Sequence, residues 1–296
     1  MTDKQEEIIV KKILLFCLTF SLVFSIFGGA ASAAPKQPKQ KSQQDITDIR
    51  NYVEKTVPLL KSSLENLPKN SSLEKIEKVI SNHYKNNPAP KAFSNPDISL
   101  YDVFPEMKSE LEKFNGKAFN MNSFMAEQEK SKSYGDVLTF ETQNSTAKVY
   151  LGDLGDIQIL EQKTLTDSPD SNASVQGTTK TERTTGIAYG LGGPKLFTLW
   201  AEGRFKYDGK KVWATYKDGD FQRHPMGTAL AISPRVLGQD RDASHGGYAY
   251  REVYSRIYVE SIVGFKWAGI VLNSALVEVF IGSTAKGSVY GGVKKV

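Results

Sequence analysis

The stretch Lys195-Leu196-Phe197-Thr198-Leu199-Trp200-Ala201-Glu202-Gly203-Arg204-Phe205-Lys206-Tyr207-Asp208-Gly209 decides the architecture. Phe197, Leu199, Ala201, Phe205 and Tyr207 share one alternating register from Leu196 to Tyr207, and a period of two belongs to a half-buried strand. Asp208-Gly209 is a hairpin signal, and Lys211–Lys217 reads as the returning strand. Further on, Gly247–Ile262 is another long strand, which Val263–Leu272 continues past a bend at Gly264. Asn273-Ser274 then turns the chain into Ala275–Ile281. Long alternating strands with Gly-rich turns predict an antiparallel β-sandwich or barrel-like domain over residues 187–296.

Upstream the pattern is different. Residues 135–165 read as a β-hairpin region turning at Asn144-Ser145, and residues 166–186 as a Ser/Thr-rich linker. A membrane-inserting strand pair would need alternating large residues, which this segment lacks. Residues 45–134 read as helical. Ile46, Ile49, Val53, Val57, Leu60, Leu64 and Leu67 recur at helical steps, with Pro58 expected to kink or divide the helix. Ser71 and Glu74 suggest a capping box before Leu73, Ile76, Val79, Ile80 and Tyr84. A third helix is expected from Pro105 to Asn115, and a short fourth around Phe124 and Met125. The fold class expected is α+β: an N-terminal small helical bundle followed by the β domain.

The first 33 residues have the form of a signal peptide. Lys11 and Lys12 precede an apolar run from Ile13 to Phe27, and Ala31-Ser32-Ala33 offers a small-residue exit, with cleavage between Ala33 and Ala34. Asp3, Glu6 and Glu7 are foreign to such a segment, so translation is expected to begin at Val10. Residues 34–44 read as a flexible basic leader. The one cysteine, Cys17, leaves with the signal, which implies a mature chain stabilised by burial rather than by disulfides.

Composition narrows the class. Of 296 residues, 40% are hydrophobic and 24% charged, against a disordered or fibrous chain. One cysteine and three histidines argue against a Cys- or His-based metal site, so no metal and no cofactor are expected. The net charge of +5 resolves into +3 over residues 34–135 (16 basic, 13 acidic), −4 over 136–185 (4 and 8) and +6 over 186–296 (15 and 9). The last segment also holds all three tryptophans and eight of the thirteen tyrosines, which makes it the candidate binding region.

Standard catalytic motifs are absent. Gly190-Leu191-Gly192-Gly193-Pro194 leads into a strand, not a helix, and reads as a turn. Gln239–Gly247 is the densest polar cluster, read as an exposed loop in which Asp240, Asp242 and His245 could serve acid/base chemistry. His224 and His83 read as structural. The strand after it alternates Tyr248, Tyr250, Glu252, Tyr254, Arg256, Tyr258 and Glu260 on one face against Val253, Ile257 and Val259 on the other. Tyrosine has an apolar ring and a wet hydroxyl, so Tyr248, Tyr250, Tyr254, Tyr258 and Arg256 are the candidate surface-binding residues.

The aromatic-x-x-x-G-x-F-x-Y-D-G pattern at Trp200–Gly209 resembles one in geobacillin-type secreted antimicrobials of Gram-positive bacilli, over about the last 110 residues. The resemblance implies a signal, a helical N-terminal part and a C-terminal β domain; many relatives carry a cysteine pair there that this chain lacks, and no catalytic residue carries over. The function expected is that of a secreted, non-enzymatic protein acting at a bacterial cell surface, with bacteriocin-like antimicrobial action. Its expected partners are envelope polymers or an anionic membrane surface, not nucleic acid. The alternatives are a wall- or polysaccharide-binding module and a secreted hydrolase using Asp240, Asp242 or His245.

Overall fold

Ser42 starts the first helix. Its hydroxyl accepts from Asp45 N at 3.4 Å, and α1 (Gln43–Glu65) buries Ile49, Val53, Leu60 and Leu64 along one stripe. The computed structural model describes residues 42–95, 97–109, 118–165, 177–225, 230–245, 248–261 and 275–296, all within the unit Lys41–Val296. The expected signal, Val10, Cys17 and the Ala33–Ala34 exit lie outside the described residues. So does the leader as far as Lys41, but residues 43–44 are helical rather than flexible. Pro58 does not divide α1, because Pro58 and Glu54, whose carbonyl loses its donor, both lie on the exposed side.

The second helix, α2 (Leu73–Asn86), is capped by Ser72, not Ser71. Ser72 has the extended backbone a cap requires (φ −71°, ψ 159°) and accepts from Lys75 N at 3.4 Å. Ser71 is buried, and its hydroxyl makes no hydrogen bond among the described residues. Ser72→Ala is therefore expected to cost about 1 kcal/mol in urea unfolding, whereas Ser71→Ala removes only an unsatisfied hydroxyl and is expected to be neutral.

After the short α3 (Leu100–Val103), Pro105–Met107 is a 3-10 turn where the third helix was expected to begin; residues 110–117 lie outside the described residues. β1 (Phe119–Asn120) leads into α4 (Met121–Ser131), which buries Phe124 and Met125.

Eleven further strands follow among the described residues: β2 (Gly135–Glu141), β3 (Ser145–Gly152), β4 (Ile157–Leu165), β5 (Gly177–Thr178), β6 (Thr181–Tyr189), β7 (Lys195–Tyr207), β8 (Val212–Arg223), β9 (Leu230–His245), β10 (Tyr248–Ser261), β11 (Ala275–Thr284) and β12 (Val289–Lys295). They make two antiparallel sheets. One has five strands in the order β1-β12-β11-β10-β9; the other has seven, β2-β3-β4-β6-β7 with β5 and β8 also on β7. The linker reading of 166–186 fails at its second half. Thr181–Leu165 through Tyr189–Ile157 is an unbroken ladder, so the β-hairpin region and the start of the β domain are one sheet. Its Thr, Glu and Arg residues read as loop, but Thr pairs well across strands and Ile187, Ala188 and Tyr189 are buried. Residues 166–176, Val263–Leu272 and Asn273-Ser274 lie outside the described residues.

Side-chain alternation sorts the core into two layers. Toward the five-stranded sheet, Tyr150, Leu160, Ala188, Phe197, Leu199 and Ala201 cluster with Val253, Ile257, Val277 and Val279. On the opposite face, Leu138, Phe140, Val149, Ile157, Ile159 and Ile187 cluster with Leu60 and Leu64 of α1 and Ile76 and Ile80 of α2. The chain is α+β, and these helices bury their stripes against the sheet as a layer of it, where a self-contained bundle was expected. The β6–β7 turn is closed by Gly193 N to Gly190 O at 3.0 Å, and the ring of Tyr84 from α2 lies flat against Gly193.

Candidate functional site

On β10, Val253, Ile257 and Val259 are fully buried, so Tyr250, Glu252, Tyr254, Arg256 and Tyr258 take the sheet's other face. The ladder supplies their neighbours. Glu252 stands opposite Arg241 on β9 and Gly282 on β11; Tyr254 opposite Gln239 and Phe280; Arg256 opposite Val236 and Glu278. One strand on, Lys294 stands opposite Glu278 and Tyr290 opposite Gly282.

This register builds an ionic network on a sheet face. Arg241 donates from Nε to Glu252 Oε2 at 2.9 Å and from Nη1 to Glu278 Oε2 at 3.0 Å. Arg256 donates from Nε to Glu278 Oε2 at 2.9 Å, Lys294 Nζ lies 3.0 Å from Glu278 Oε1, and Tyr290 donates its hydroxyl to Glu252 at 3.1 Å. Both guanidiniums lie over the Tyr254 ring, Arg241 4.2 Å and Arg256 5.5 Å from its centre. Arg235 covers the Tyr258 ring at 5.4 Å, and Tyr250 meets Tyr290 edge-on at 5.6 Å. The carboxylates lie beneath the cations: Glu278 and Glu252 side chains are 0% and 3% exposed, against 25% for Arg241, 27% for Arg256 and 32% for Lys294. What water meets is cationic and aromatic.

Burial alone would push the Glu278 carboxyl up; hydrogen bonds from Arg241 and Arg256, with the Arg241 charge, overcome it and hold the group down at about 2. A carboxyl lowered on folding stabilises the protein above its unfolded value and ceases to do so as pH falls through the folded one. Acid titration of stability is therefore expected to show a loss of about 3 kcal/mol between roughly pH 5 and 2. Glu278→Gln, less stable at neutral pH, is expected to lack that component when urea midpoints are compared across the window.

The expected polar loop is not a loop. Gln239–His245 belongs to β9, paired residue by residue with β10 from Tyr254–Gln239 to Tyr248–His245. Its Asp and Ser content reads as turn, yet ladder pairing overrides local preference. Asp240 is opposite the core residue Val253 and is held by ion pairs to Lys217 of β8 and Arg251 of β10, which keep its carboxyl below the ordinary range against the effect of burial. Asp242, 89% exposed, receives Arg251 Nη1 at 2.5 Å. The carboxylates thus tie strands together. The side chains of His245 and Tyr248 lie outside the described residues.

Of the sequence candidates, Tyr250, Tyr254, Tyr258 and Arg256 are brought together on one face. Glu278, Lys294, Tyr290 and Arg235 went unnoticed, although Glu278 and Phe280 alternate with buried Val277, Val279 and Ile281, the signal that these two leave the core. Among the described residues no group of three His, Cys, Asp or Glu could hold a metal ion, and no helix is long and apolar enough to cross a membrane. Comparison with known proteins finds no matching family model, curated protein or solved structure.

Proposed function

We propose that this is a secreted, non-enzymatic protein that binds anionic polymers of the Gram-positive cell envelope through the outward face of β9–β12, with growth inhibition as the consequence. The observation that carries this reading is the burial of Glu252 and Glu278 beneath Arg241, Arg256 and Lys294. Two carboxylates under three cations leave the cluster one positive charge in excess, with side chains already ordered before a ligand arrives. Arg256 Nη1 meets no acceptor among the described residues and Lys294 makes one ion pair there, so both retain donors for phosphate or carboxylate groups. The +6 balance of residues 186–296 adds long-range attraction, and the signal-like N-terminus supports export.

The test is co-sedimentation of the exported chain with washed Gram-positive walls, alongside growth assays and dye release from anionic vesicles. Binding to wall with inhibited growth supports the reading. Dye release without wall binding would transfer the target to the membrane, and absence of binding to both would refute it.

A further inference from the structure

The seven-stranded sheet carries a second polar feature, on the face turned toward the five-stranded sheet. Thr146 and Lys148 of β3 stand opposite Gln162 and Leu160 of β4. With Asn122, from the first turn of α4, these four side chains line a cleft of about 80 Å³, room for roughly five waters. A neighbouring apolar cavity, lined by Phe119, Phe197, Leu199, Val277 and Val293 among others, measures about 20 Å³, enough for one water and no ligand.

The cleft's polar atoms are incompletely used. Asn122 donates Nδ2 to Gly291 O at 2.8 Å, but its buried Oδ1 accepts nothing among the described residues. Thr184, opposite Gln162 on β6 and 0% exposed, likewise has a hydroxyl without a partner among them. Thr184 lies beside Gln162: a Cβ built on Gly291 would stand 2.2 Å from Thr184 Oγ1 and 2.8 Å from Gln162 Nε2, whereas one built on Gly292 would stand 2.5 Å from Asn122 Oδ1. Buried polar groups without partners are rare and costly; here one belongs to Asn122, which lines the cleft, and the other lies beside the cleft residue Gln162, so this end of the sheet has polar capacity that the chain leaves unused.

The chemistry selects the ligand class. Asn122, Gln162 and Thr146 line the cleft with amides and a hydroxyl that both donate and accept, which suits hydroxyl groups. Leu160 supplies an apolar patch for a C–H face. The one cation, Lys148, is neutralised by Glu129 at 2.8 Å, which disfavours an anion. We infer that the cleft binds a neutral polyhydroxylated ligand, a single sugar ring of a glycan. The inference is independent of the outward face of β9–β12.

Saturation-transfer NMR of the full chain with glucose and N-acetylglucosamine, each at millimolar concentration, tests it. At least one sugar is expected to receive saturation on its ring protons. Most of that signal is expected to vanish in Thr146→Val, whose shape is conserved, and in Gln162→Met, with unfolding midpoints recorded for both. Lys294→Gln, on the other sheet face, is expected to retain it. No saturation in the parent protein would overturn the inference, as would equal saturation in a folded Thr146→Val variant or loss of saturation in Lys294→Gln. Wall binding without sugar saturation would overturn this inference alone, leaving the outward face as the binding surface.

Discussion

Replacing Glu278 with alanine is expected to destabilise the protein by roughly 3–5 kcal/mol at neutral pH, the range for a buried ion pair that loses one partner. Glu278 is fully buried and receives Arg241, Arg256 and Lys294. Its removal strands Arg256 and Lys294, which the sheet has drawn partly out of water, leaves Arg241 on Glu252 alone, and opens a hole in β11. In a domain of this size the melting temperature is expected to fall on the order of 10 °C. Glu252→Gln is expected to cost clearly less. Its amide oxygen still accepts from Arg241, its amide nitrogen can donate to the Tyr290 hydroxyl, and Glu278 stays in place to balance the guanidinium. Thermal and urea unfolding of the two variants side by side measures the contrast; equal losses would mean that the network is not centred on Glu278.

The second large effect is expected at Gly193→Ala. Gly193 has φ of +84°, a region that L side chains rarely adopt. An added Cβ would stand 2.0–2.4 Å from three ring atoms of Tyr84, closer than any non-bonded contact. Strain and overpacking each cost about 1–3 kcal/mol, so a combined loss of about 3 kcal/mol or more is expected. The residue also fastens α2 to the β6–β7 turn, next to the hydrogen bond from Tyr189 and the ion pair from Lys195 that both end on Glu77. Hydrogen exchange is therefore expected to accelerate in α2 first. Tyr84→Ala in the same background is expected to relieve the clash while adding its own packing loss.

The parts of the fold that were legible in sequence are those where one face is apolar and the other polar. Alternation from Leu196 to Tyr207 and from Tyr250 to Glu260 announced β7 and β10, and the steps from Ile49 to Leu64 announced α1. β6 and β9 were missed for a common reason. Polar residues crowd both, Thr, Glu and Arg in β6 and Asp, Arg and Ser in β9, which reads as loop, while their stability comes from ladder pairing with other strands: β4 and β7 for β6, β10 for β9. The candidate site shows the same limit. Tyr250, Tyr254, Arg256 and Tyr258 declared themselves by their spacing on one strand. Glu278 and Lys294 join them only through the β10–β11 and β11–β12 registers, which no single strand encodes. The helix layer was read as separate because its apolar stripe is visible, but the surface it covers is not.

The binding role proposed for the β9–β12 face is tested most directly by the affinity of the protein for soluble, polyanionic wall polymer as salt is raised. Exposed cations act through a screened field, so affinity is expected to fall steeply between about 50 and 500 mM salt. The double variant Tyr254→Ser, Lys294→Gln removes a ring and a charge from the face while leaving Arg241 and Arg256 on Glu278. At low salt it is expected to bind about tenfold or more weakly, with the fold confirmed by its circular dichroism. Affinity that ignores salt, or a folded double variant that binds as the parent does, would contradict the assignment of this face.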